Sequence, residues 1–258
     1  MPRNIHDLSP PDGPDKSWEY TNMAIDIARL RQQAERRDGR QERPTIGRDT
    51  RIDGGVYEGS YGGEAIVVDR EKYPSGYEYA KAEVARRSAD ATGTIDKNYI
   101  LHNVFKVVGK MMTYDQGAVN RIFEKEGGKD GTKIALDVYA SLGVGVCRHQ
   151  ALFVAQLLEG FVDDGVLHGQ VSVDRNMVRT QGDDYDGHAW VRYTTSGGTV
   201  YVLDVAQNKV ALLSDLMAAH DRGENVWDYA REEDERRAGS RGKQAMGALK
   251  RLWESLHG

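Results

Sequence analysis

The chain has 258 residues, seven histidines, a single cysteine and a formal net charge of −5. That length suits one large domain with appendages. The acidic balance argues against a generic nucleic-acid binder, and a lone cysteine excludes both an intramolecular disulfide and a multi-cysteine zinc site.

Residues 1–17 hold four of the six prolines and little to bury, which predicts a disordered arm. Residues 18–93 read as an N-terminal extension of helix, hairpin and helix. The first helix spans 18–37, with Met23, Ile27 and Leu30 at helical spacing. The arginines between Arg29 and Arg51 alternate with Glu35, Asp38, Glu42 and Asp49 and carry no interleaved aromatics. A solvated face explains them better than a nucleic-acid patch. The stretch 53–63, DGGVYEGSYGG, lacks the Gly-Lys-Ser/Thr ending of a P-loop and fits a turn before a strand over 64–69. Residues 77–87 form a second helix.

A longer helix is expected over 94–114, with Ile100, Val104, Val107, Val108 and Met111 in register and Thr94 or Asp96 as its cap. Two short helices follow, over 119–126 and 132–142, split by a Gly-rich turn. After residue 160 the period changes to two, giving strands over 167–173, 188–193 and 199–205. A polar loop over 179–187 and a hairpin turn at Ser196-Gly197-Gly198 separate them. Helices are expected again over 212–220 and 243–256, the latter in a C-terminal extension over 221–258. The mixed-charge stretch 231–243 reads as a linker or helix surface.

The chemistry centres on SLGVGVCRHQALFVAQLL, residues 141–158. Gly143 and Gly145 precede Cys147, and a strongly apolar run follows it, so the cysteine is placed at the first turn of a buried helix. Free N–H groups and partial positive charge there favour the thiolate and can hold an oxyanion. The competing reading is an inert core cysteine.

A thiol nucleophile needs a base and the base an orienting group. His149 is only two residues away, and side chains at that spacing do not face each other on a helix. His188 opens a strand, and Asp204 closes the next one inside the apolar run Val202-Leu203-Asp204-Val205, where an acid is costly without a partner. A turn-capping role is the alternative for Asp204. A three-residue hairpin loop with Thr195 opposite Thr199 puts Asp204 across from Trp190 and diagonal to His188, on one face of the sheet. A two-residue loop would separate them.

Gly145-Val146-Cys147-Arg148 opening a helix, His188-Ala189-Trp190 on a strand and Leu203-Asp204 on the next resemble the transglutaminase-like superfamily, relatives of the papain-like proteases. The resemblance covers roughly 94–216. It implies an α+β fold, a transglutaminase-like core over 94–220 with the cysteine helix packed on an antiparallel sheet. It implies a Cys147-His188-Asp204 triad, with the Cys147 backbone N–H as one oxyanion donor. Trp190, Gln207 and Asn208 are further candidates to line the site, with a plain turn role open for the last two.

The activity implied is cysteine-dependent acyl transfer on a peptide or protein amide, with hydrolysis preferred, protein cross-linking as the near alternative and a non-catalytic binding scaffold as the distant one. No cofactor or metal is expected; Asp183, Asp184 and Asp186 do not have EF-hand spacing. The expected partner is a peptide or protein substrate, with neither nucleic acid nor membrane. Oligomeric state is left open. A cytoplasmic location is expected, since no signal-peptide pattern and no membrane-spanning run is seen.

Overall fold

The computed structural model describes residues 43–58, 63–179 and 185–238. The proline-rich arm, the helices expected over 18–37 and 243–256, and Asp183 and Asp184 lie outside these residues. Contacts divide the chain into two compact units, Met1–Leu212 and Leu213–Gly258.

In the first unit, β1 (Val56–Glu58) and β2 (Ala65–Val67) form an antiparallel hairpin whose six residues are all buried. Next comes α1 (Pro74–Ser88), which opens on a proline, where a missing N–H leaves no helical bond unmade. The following helix, α2 (Lys97–Met111), is capped by Asp96, whose carboxylate accepts the Asn98 N–H at 2.9 Å. After β3 (Thr113–Tyr114), α3 (Gln116–Lys125) is capped by Asp115 through the Ala118 N–H at 2.8 Å. Each Asp satisfies one of the orphan donors of its helix.

The helix expected over 132–142 is shorter than its pattern. Its first residues form β4 (Lys133–Ala135), and α4 (Leu136–Leu142) begins after them. Parallel pairing with β2, Ile134 opposite Ile66, holds this strand, and no local propensity signals it. A two-residue strand β5 (Val144–Gly145) pairs with β3 and leads into α5 (Cys147–Asp163).

The main sheet is antiparallel, in the order β6 (Gly169–Arg179), β7 (Tyr185–Thr195), β8 (Val200–Asp204), β9 (Lys209–Leu212). Its first two strands extend well past the expected 167–173 and 188–193, taking in both ends of what reads as a polar loop, Arg179 and 185–187. The reason lies in the second face. Val171, Val173, Ala189, Val191 and Tyr193 share the hydrophobic core with α5. By alternation Ser172, Asp174, Asn176, His188 and Trp190 occupy the opposite face, and all five are buried there too. A buried polar face breaks the apolar–polar alternation that a sequence reading relies on. It is satisfied by bonds such as Ser172 Oγ to Asp174 Oδ1 at 2.8 Å and the Asp49 N–H to Ser172 Oγ at 3.1 Å.

The fold class is thus α+β, with α5 against one face of an antiparallel sheet. This helix is buried without a break from His149 to Phe161. The second unit opens with α6 (Leu213–Asp221), closed by the Glu224 N–H donating to Ala219 O at 3.1 Å. Among the described residues no helix is long and apolar enough to cross a membrane.

Candidate active site

Cys147 is the first residue of α5. Its approach is shaped by packing. A Cβ on Gly145 would stand 2.8 Å from Met112 Cε and 2.9 Å from His149 Cβ, so glycine is the residue that lets β5 run against the helix start. Gly145→Ala is expected to displace the first turn of α5. We expect cysteine reactivity to fall while far-ultraviolet circular dichroism stays near wild type, and thermal unfolding on the same samples measures the accompanying loss of stability. Unchanged reactivity would mean that the turn tolerates the shift.

The hairpin between β7 and β8 has the three-residue loop. Thr195 donates its N–H to Thr199 O at 2.9 Å, Gly198 takes the left-handed conformation with φ +81, and the ladder runs Tyr193↔Tyr201, Arg192↔Val202, Val191↔Leu203. This is the register that puts Asp204 and His188 on one face. His188 Nε2 and Asp204 Oδ2 are 2.5 Å apart, with the histidine 3% and the aspartate 1% exposed. The second carboxylate oxygen of Asp204 accepts the Gln207 N–H at 3.0 Å.

With Nε2 engaged by Asp204, the other ring nitrogen of His188 is the one left to face the Cys147 sulfur, on which the imidazole acts. The β7–β8 ladder stops at Val191↔Leu203. Two residues beyond that end Ala189 has no β8 residue across from it, and its N–H is among the groups that favour the Cys147 thiolate.

Electrostatics follow this geometry. Burial pushes the Cys147 thiol up, but the His188 hydrogen bond and charge, then Arg148 and the Ala189 N–H, outweigh it and the net shift is downward. Burial pushes His188 down, and the Asp204 charge and hydrogen bond together with Cys147 reverse this, raising it to about 10. The two titrate as a coupled thiolate–imidazolium unit.

Of the other candidates, Trp190 is buried with its ring centroid 5.9 Å from that of His188, walling the imidazole. Gln207 acts through its backbone on Asp204. Asn208, exposed with φ 51, is a turn residue between β8 and β9. No acceptor among the described residues takes the Cys147 N–H, which leaves it available to an oxyanion. His149 faces away from the sulfur. Its Nδ1 accepts the Val146 N–H at 3.2 Å, and its ring packs on Tyr139 with centroids 4.0 Å apart.

Sequence reasoning passed over Glu64, read only as the start of a strand. It is 3% exposed and pairs with Arg148, next to Cys147, across 84 residues. The one available signal was an acid set directly before the apolar run Ala65-Ile66-Val67-Val68. Among the described residues no cluster of three His, Cys, Asp or Glu side chains is placed to hold a metal ion. Neither a family model, nor a curated protein, nor a solved structure matches this chain.

Proposed function

We propose that this chain is a transglutaminase-like cysteine hydrolase that cleaves a peptide or protein amide through Cys147, His188 and Asp204. The observation that carries this reading is the buried His188–Asp204 pair at 2.5 Å, together with a Cys147 thiol at a helix start whose shift downward has the His188 imidazole as its main favourable cause. The thiolate would attack the amide carbonyl, and the oxyanion formed would take the Cys147 N–H. The His188 imidazolium would give its proton to the departing amine. Water, deprotonated by His188, would then release the acid and return the thiol. Asp204 keeps the proton on Nε2, and so the other nitrogen faces the reacting atoms.

The test is mass spectrometry of a glutamine- and asparagine-containing peptide library incubated with the full chain, with and without a primary amine. Cleaved or deamidated peptides that form without amine and disappear in Cys147→Ala support hydrolysis. Products that form only with amine, and carry it, point to cross-linking instead. No product in either arm, with Cys147 inert to an acyl-directed thiol probe, would overturn the enzymatic reading.

A further inference from the structure

The α5 start lacks the usual cap. Its N-cap residue, Val146, has no side-chain oxygen to offer the first turn. His149 supplies the reverse half of a capping box by accepting the Val146 N–H at 3.2 Å on Nδ1. An accepting Nδ1 puts the ring proton on Nε2. That Nε2 lies 3.0 Å from Glu64 Oε1, close but poorly aligned. The same oxygen accepts two N–H bonds from Arg148, from Nε at 3.0 Å and from Nη2 at 2.7 Å. One buried carboxylate at the foot of β2 thus gathers the two residues that follow the cysteine in sequence.

We propose that Glu64 is a positioning residue for Cys147: by pairing with Arg148 beside the first turn of α5, it holds that guanidinium in place and sets the net charge the sulfur faces. This rests on the reading of Cys147 as the nucleophile. It makes the β1–β2 hairpin, which the family resemblance leaves unexplained, a working part of the site.

The groups around the sulfur are His188 on β7 with Asp204 behind it, Arg148 and His149 on α5, and Glu64 beyond Arg148. Tyr57 on β1 lies within reach of the Arg148 charge. Burial, partly offset by Glu64, lowers His149 to about 4, so it is neutral at neutral pH. Glu64, despite burial, is held down at about 2 by His149 and Arg148 and stays ionised. The local balance is therefore one guanidinium against one carboxylate, and it is the guanidinium whose charge acts on the sulfur. The Arg148 side chain is 23% exposed, against 3% for Glu64, so the positive member is also the one that solvent and reagents meet.

Opposite shifts from the two partners distinguish this from a merely structural contact. The experiment compares alkylation of the full chain by anionic iodoacetate and neutral iodoacetamide at pH 7, in wild type, Glu64→Gln, Arg148→Gln and the double variant. The chain has a single cysteine, so each rate belongs to Cys147. Glu64→Gln leaves Arg148 uncompensated and is expected to raise the iodoacetate-to-iodoacetamide rate ratio by about threefold or more. Arg148→Gln is expected to lower it by a similar factor, and the double variant to return near wild type. Arg148→Lys keeps the charge and should keep the wild-type ratio, and it reports on the charge even where Glu64→Gln fails to fold.

Ratios that move in the same direction in both single variants, or stay fixed in both, overturn the proposal. The nucleophile reading is tested separately, by wild-type iodoacetamide reactivity below pH 7. Its failure leaves the variant ratios measurable at higher pH, where the same pattern decides this inference.

Discussion

His188→Ala is expected to abolish turnover and to move the pH midpoint of Cys147 alkylation up toward that of a free thiol, about 8.5. In the wild type the His188 hydrogen bond and charge overcome the burial that raises the thiol. The sign follows from the two shifts. A lowered thiol beside a raised imidazole makes thiolate–imidazolium the prevailing form between the two, so iodoacetamide should react at an appreciable rate below pH 7. Removing the imidazole leaves burial opposed by Arg148, the Ala189 N–H and the helix start. Asp204→Asn separates the roles further. It should cost on the order of 10³–10⁴ in catalytic rate, through loss of the correct tautomer, with a far smaller loss in alkylation. Rates by stopped-time alkylation across pH, beside turnover of a cleaved peptide from the library, measure both. Equal midpoints near that of a free thiol in wild type and His188→Ala would remove the ion pair and with it the triad.

Leu152→Ala is expected to destabilise the fold by about 2–5 kcal/mol, because its side chain is fully enclosed in the main core and the cavity left behind cannot close. Phe153→Ala, 1% exposed one residue later, should cost about 3–5 kcal/mol. Cys147→Ala should stay within about 1 kcal/mol of wild type while losing all turnover, since it removes one small group at a helix start and leaves His188 paired to Asp204. Urea unfolding of the three variants gives the comparison. If Cys147→Ala unfolds as readily as Leu152→Ala, the cysteine is a packing residue and its reactivity is incidental.

The order of elements was largely legible, for a physical reason: α2 and the cysteine helix each bury enough apolar surface to leave a periodic trace. The Asp96 cap was legible because a capping side chain acts within two residues of its own position. The His188–Asp204 register was legible too, since a three-residue hairpin fixes parity locally. Pairing across long stretches of chain was not. β4 exists only because β2 lies beside it, and residues 133–135 by themselves continue the helical pattern of α4. The strand ends of β6 and β7 were hidden because Asp174 and Asn176 are polar and yet buried, with partners supplied by the fold.

The sequence by itself determined a cysteine at the head of a buried helix and the parity that aligns a histidine with an acid, both consequences of short-range geometry. Only the tertiary structure decided that His188 bears on the Cys147 thiol, because that depends on where β8 ends along β7. It alone brought Glu64 to Arg148, an ion pair whose members are strangers in sequence and whose strength depends on their shared burial.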